Sequence, residues 1–225
     1  MKKIILTLAA VTTFSTALQA QSLYSPTIAF TDLTSNPIII NSNNTLVNLS
    51  LSNSFSPISF SYKTSGINSQ IRAFVPSGSG MLNFWQYGES AIRLGYGDTF
   101  DFSYYTLNGV TFESSWGYSN YEWLNGSNFG NTSHAAMLFD NLSGYIGVSL
   151  QDTNTLAQYF GWINYTGTTD VVNGATIGTG QITGFAFETI PGQTITAGAV
   201  PEPSTYALFG LGALVLVVAY RRKVA

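Results

Sequence analysis

Asp98 and Asp101, three residues apart in the stretch GYGDTFDF, are the first residues whose type and spacing suggest chemistry. Paired carboxylates can cleave a glycosidic bond, one as acid and the other as base or nucleophile, and they can also ligate calcium. On a β-strand a three-residue separation sends the two side chains to opposite faces, which opposes both uses; in a turn after Gly97 the objection weakens. Asp152-Thr153-Asn154 opens like a calcium loop, yet its sixth position is not glycine and its twelfth, where glutamate is expected, is Ile163. A turn between strands fits that tripeptide better. His134 is the only histidine and there is no cysteine, so multi-histidine metal sites, thiolate chemistry and disulfides are excluded. A Ser-His dyad would have to use His134, whose small and polar neighbours suit a surface or capping role. The expectation is a chain with no catalytic residues, no metal site and no cofactor, and so not an enzyme.

The stretch SWGYSNYEWLNGSNFGN, residues 115–131, is the richest in side chains that recognise ligands without reacting. Trp116, Tyr118, Tyr121 and Trp123 stand among Asn, Gly and Ser, and rings beside amides offer apolar faces together with hydrogen-bonding groups, as a glycan-binding surface does. The same rings also suit a core beneath a long loop, and both readings stay open.

The elements that must position these residues read as strands. Val47, Leu49 and Leu51 alternate with polar residues, as do Ile58, Phe60 and Tyr62, then Phe100, Phe102 and Tyr104, then Ile146, Val148 and Leu150. Between such runs lie clusters that favour turns: Asn41-Ser42-Asn43-Asn44, Ser77-Gly78-Ser79-Gly80, Asn125-Gly126-Ser127-Asn128 and Gly178-Thr179-Gly180. Only residues 133–140 and 153–158 look capable of a helical turn or short helix. Short strands at this turn spacing predict an all-β fold, an antiparallel β-sandwich or jelly-roll-like domain over residues 21–190, followed by a tether over 191–203.

Charge is concentrated at the ends. Five of the eight basic residues lie in the terminal segments; residues 21–200 hold three basic and ten acidic residues, a net charge of −7 (3 − 10). Without clustered Lys and Arg to neutralise phosphates, that region is not expected to bind nucleic acid. At the N-terminus, Lys2 and Lys3 precede an apolar run and a small-residue stretch, the layout of a signal peptide over residues 1–20, cut after Ala20 or after Ala17. At the other end, residues 204–220 carry no charge; as a helix they extend about 25 Å, just enough to cross a bilayer core. Arg221, Arg222 and Lys223, in the basic tail 221–225, would stay cytoplasmic, leaving everything before the helix outside the inner membrane. Pro201 and Pro203 keep residues 200–203 extended and outside that helix, with Glu202 as a single charge between two rigid residues.

The order Val200-Pro201-Glu202-Pro203-Ser204, a short apolar helix and a terminal Arg-Arg-Lys resembles the PEP-CTERM sorting signal of Gram-negative bacteria that make exopolysaccharide. The resemblance implies export through the Sec machinery, transient anchoring in the inner membrane, and processing by an exosortase that reads Pro201, Glu202 and Pro203, with Arg221, Arg222 and Lys223 as the retention cluster. The destination it implies is the cell surface or extracellular matrix. Upstream, GYIGVSL (144–150), YFGWINY (159–165) and TGFAFETIPGQTITAG (183–198) are similar to the Gly-Trp-containing end of many exported domains with this signal, for which a β-sandwich is implied. The expected function is a structural or adhesive domain associated with exopolysaccharide; a carbohydrate-binding module is the alternative, and a glycan-active enzyme a more remote one.

Overall fold

The computed structural model describes residues 27–83, 91–118, 121–126 and 139–200, with the backbone alone for Tyr118, Tyr121, Glu122 and Trp123. The expected signal peptide, apolar helix and basic tail lie outside the described residues. Among the described residues there is no helix, hence none long and apolar enough to cross a membrane. In chain order the strands are Ile28–Asp32 (β1), Ile38–Ile40 (β2), Leu46–Leu49 (β3), Ile58–Ser65 (β4), Asn68–Phe74 (β5), Gly80–Leu82 (β6), Arg93–Leu94 (β7) and Thr99–Phe100 (β8). Tyr104–Leu107 (β9), Val110–Glu113 (β10), Trp116–Tyr118 (β11), Tyr121–Gly126 (β12), Ser143–Gln151 (β13), Gln158–Val172 (β14), Ala175–Glu188 (β15) and Ile195–Thr196 (β16) follow.

These strands form three antiparallel sheets. The largest runs β1-β15-β14-β13-β6-β11, with β2 also on β15 and β7 also on β13. A second runs β12-β5-β4-β3 and a third β10-β9-β8-β16. The long β14–β15 hairpin turns at Asn173-Gly174, both with positive φ (52° and 79°), and Asn108-Gly109 (51° and 81°) joins β9 to β10 in the same way. Two-residue turns of this hand match the twist of the strands they connect, and Asn-Gly tolerates the left-handed backbone they need.

The large sheet is covered on both faces at β13 and β14. On one face Ile146, Val148, Leu150, Ile163 and Tyr165 join Val47, Leu49, Ile58, Phe60 and Ile71 of the second sheet in one core. Each fully buried aliphatic side chain there is worth about 1.5–3 kcal/mol over its exposed state. The expected alternation at Val47, Leu49 and Leu51 and at Ile58 and Phe60 is thus observed. On the other face the third sheet supplies Phe100, which packs edge-on against Phe160 and beside Trp116. Gly147 leaves room for it, since a Cβ there would touch Leu82, Leu94 and Phe100 at 3.3 Å. This double coverage explains why β13 is buried at Ser149 as well as at its apolar positions.

Several expectations are corrected. Phe100, Phe102 and Tyr104 do not share a face: Asp101 accepts hydrogen bonds from the backbone of Ser103 and Tyr104, turning the chain so that β8 and β9 pair and Phe102 and Tyr104 point to solvent. Of the helical turn or short helix weighed at 153–158, a single turn forms ahead of β14: the Leu156 N–H donates to the Asp152 carbonyl, and Asp152 Oδ1 accepts the Asn154 and Thr155 N–H groups. Asn125-Gly126 and Gly178-Thr179-Gly180 are not turns but strand segments of β12 and β15.

Their glycines are required by close approach. A Cβ on Gly178 would lie 2.9 Å from the Cα of Gly126; one on Gly126, at φ 102°, would lie 2.5 Å from the Ser69 carbonyl oxygen. Where the backbones meet, fully buried Asn125 accepts the Tyr165 hydroxyl hydrogen bond at 2.5 Å and donates to the carbonyls of Thr168 and Thr179, both at 2.9 Å. Asp140 accepts from the Gly126 N–H and the Thr169 hydroxyl. One polar junction therefore ties the second sheet to the β14–β15 hairpin. Burial, and secondarily the charge of Asp140, pushes the Tyr165 hydroxyl well above the ordinary tyrosine value, so it remains a donor.

Candidate functional site

The chain leaves the compact unit Thr27–Ala199 at a point held by β8, the 95–98 loop, β13 and β14. After β15, Gly192 turns the backbone at φ 74° and its N–H donates to the Gln158 carbonyl. β16 then pairs with β8, Ile195 opposite Phe100 and Thr196 opposite Thr99. The next residue is held twice: Ala197 N–H donates to the Asp98 carbonyl at 2.7 Å, and its own carbonyl accepts the Gly97 N–H at 3.0 Å. Gly198, at φ 81°, fits beneath Tyr96 and Tyr145, where a Cβ would lie 2.5 Å and 2.9 Å from their nearest atoms. Finally the Trp162 indole N–H donates to the Ala199 carbonyl at 3.2 Å. Trp162 is 2% exposed and Ala199 3%. The indole is itself fixed edge-on against Tyr145, with ring centroids 5.1 Å apart, and lies 5.8 Å from the ring of Phe30 on β1. Burial first, and Tyr96 second, raise the Tyr145 hydroxyl above its ordinary value.

A tether beginning at residue 191 therefore does not describe residues 195–199. They are strand, turn and clamp, because their N–H and carbonyl groups find partners in the loop Gly95-Tyr96-Gly97-Asp98 and on Trp162.

Residues 199–223 match the family model of the PEP-CTERM protein-sorting motif. The chain carries a PEP-CTERM sorting motif. The curated proteins and the solved structures contain no match to it. A PEP-CTERM motif implies an exported protein that an exosortase sorts and processes at the membrane. Pro201, Glu202, Pro203, Arg221, Arg222 and Lys223 fall within the matched span and outside the described residues. The matched span begins at Ala199, the residue Trp162 holds.

Two of the carboxylates weighed from sequence, Asp98 and Asp101, serve the chain near this exit. Buried Asp98 accepts from the Gly95 N–H at 2.7 Å and the Asn108 N–H at 3.0 Å, which fixes the loop that receives Ala197. Asp101 accepts from Ser103 and Tyr104 with one oxygen and from the Thr194 hydroxyl with the other. Asp152 caps its own turn, and those N–H donors hold its carboxyl below the ordinary range. Glu113 lies exposed on β10. Among the described residues no three His, Asp or Glu side chains converge to hold a metal ion. His134 lies outside the described residues.

The aromatic patch is divided between two sheets. Trp116 and Tyr118 belong to β11, paired with β6 in the large sheet; Tyr121 and Trp123 belong to β12, paired with β5 in the second. The half-buried Trp116 ring packs beside Phe100 and Phe160, and its indole N–H donates to the Phe102 carbonyl at 3.1 Å. The side chains of Tyr118, Tyr121 and Trp123 lie outside the described residues. Close by in the chain, Phe102, Tyr104 and Phe112 are exposed.

Sequence reasoning missed the clamp. Trp162 reads as one more apolar residue in a strand, and the only signal for a docked exit is the small-residue run Ala197-Gly198-Ala199, which suits close approach.

Proposed function

We propose that this protein is an exported domain, delivered by Sec translocation, held at the inner membrane of a Gram-negative cell by its C-terminal helix, and then cleaved by an exosortase for release to the cell surface or extracellular matrix. Its work there is structural or adhesive, among exopolysaccharide chains, and it is not an enzyme. The observation that carries this reading is the PEP-CTERM match at 199–223, which begins at the last residue of the compact unit Thr27–Ala199. The larger two-sheet core reads as β-sandwich-like, a rigid body suited to a surface role. Its carboxylates Asp98, Asp101 and Asp152 are taken up by backbone donors, which favours a non-catalytic reading. Intact-mass measurement of the natural product tests the proposal. A C-terminus near Pro203 is expected, and a product still ending at Ala225 would replace processing with a permanent anchor.

The alternative, a carbohydrate-binding module, draws support from the exposed rings of Phe102, Tyr104 and Phe112 near Trp116. Rings that remain in solvent offer the apolar faces that sugars stack on. If this reading holds, the exported protein is retarded on a column of the host's own exopolysaccharide, and Trp116→Ala weakens the retardation. Free passage of the unaltered protein removes it.

A further inference from the structure

We propose that Trp162, with Tyr96 and Tyr145, forms a positioning clamp for C-terminal processing, holding the chain at Ala199, where the sorting motif begins. The inference rests on the exosortase reading above and adds the part that the folded domain plays in it.

Residues 195–199 give up their freedom in three steps. β16 is paired, Ala197 is bonded through both backbone groups, and the Ala199 carbonyl is captured by an indole that is itself locked between Tyr145 and Phe30. Beyond Ala199 the sequence adds a constraint of a different kind. Val200 precedes a proline and is driven to extended geometry, and Pro201 and Pro203 each have a fixed φ. Clamp and prolines thus meet with a single residue, Val200, between them. An enzyme that binds an extended peptide must otherwise order each residue itself, at about 1–2 kcal/mol of backbone entropy per residue. A motif already held at its upstream end spares part of that.

The clamp also sets where recognition can begin. Ala197 and Ala199 are buried with their carbonyls occupied, and Val200 is half-buried in a β-bridge, so a processing enzyme cannot take hold of the chain at 197–199 without opening the clamp. The chemistry served is the breaking of one peptide bond. Its acyl carbon passes to a nucleophile, water or an amine, and the nitrogen of the departing tail takes the proton.

The full-length chain is expressed in its own host with the processing machinery present, and the processed fraction is followed over time by intact mass. The decisive variant inserts six Gly and Ser residues between Ala199 and Val200, which leaves the sequence of the unit Thr27–Ala199 and of residues 200–223 unaltered while uncoupling one from the other. Processing is expected to slow by about fivefold or more, the equivalent of roughly one ordered residue. Trp162→Phe, which keeps a ring and removes the N–H, is expected to slow it in the same direction and by less. Processing of the insertion variant at the unaltered rate overturns the clamp while leaving exosortase processing intact. If the unaltered protein keeps Ala225, the parent reading fails, whatever the variants do.

Discussion

At the Asn125 junction and at the Ala199 exit, one buried polar side chain ties a neighbouring backbone to the β14–β15 hairpin, but the two ties are built to different strength. Asn125 makes three strong hydrogen bonds, two of them to carbonyls on opposite strands of the hairpin, and glycines at 126 and 178 bring the backbones so close that no side chain fits between. Trp162 makes one hydrogen bond, to a segment that ends the compact unit. The first is a fully satisfied network, where removing a member orphans several buried groups; the second is a single latch. The contrast suggests that the junction fixes which sheet packs on which, and that the latch fixes only where the chain departs.

The largest effect is expected at the junction. Gly126→Ala places a Cβ 2.5 Å from the Ser69 carbonyl oxygen and 2.7 Å from the Gln70 Cα, both backbone atoms, at a φ of 102°. A loss above about 4 kcal/mol, or no folded protein at all, is expected from overpacking combined with backbone strain. Urea denaturation checks it, and a wild-type midpoint would mean that the two backbones can separate freely.

A pair of substitutions then measures the contrast itself. Asn125→Ala leaves the Tyr165 hydroxyl and two strand carbonyls without their partner, for an expected loss of about 3 kcal/mol, whereas Trp162→Phe orphans one carbonyl and loses about 1–2 kcal/mol. Equal losses in denaturant melts would erase the distinction between network and latch.

The smallest effect is a pH dependence set by a buried acid near the start of the unit. Glu188 on β15 is 2% exposed; burial raises its carboxyl above the ordinary value of 4.5, against the opposing hydrogen bond from the Thr27 hydroxyl at 2.6 Å. The folded state therefore holds this proton more tightly than the unfolded chain. The stabilisation is complete below pH 4.5 and is lost as pH rises from there through the folded-state value. Asp32 and Asp152 act in the opposite sense, since backbone N–H donors lower both below 3.8, and their contribution is present above pH 3.8 and lost under acid. Glu188→Gln is expected to flatten the decline above pH 4.5 while leaving the acid limb untouched. Thermal melts from pH 3 to pH 8 decide it; an unchanged slope above pH 4.5 would show that Glu188 is as readily ionised in the fold as outside it.

Local pattern foretold the strands where one face meets a core and the other meets solvent, as at Val47 and Leu49. It failed where a single carboxylate redirects the chain. Phe100, Phe102 and Tyr104 alternate perfectly in sequence, yet Asp101 spends its lone pairs on two N–H groups between them. Glycine was ambiguous for a related reason. Gly78 and Gly174 turn the chain, while Gly178 and Gly180 sit mid-strand because another backbone or ring lies against them. The residue alone does not say whether it is there for its φ or for its missing side chain.

The residues themselves determined the sorting motif: two prolines around one acid, a charge-free stretch and a basic cluster form a local code that needs no distant partner to be read, and residues 199–223 match it. They also determined that the body is made of strands, because a two-residue period survives without knowledge of partners. Only the tertiary structure decided that Ala199 is clamped and not free, that Trp162 faces the exit and not the larger core, and that Asn125 is a hub and not a turn. Each of these depends on groups 37 to 54 residues apart meeting within hydrogen-bond reach, and no local period encodes such a meeting.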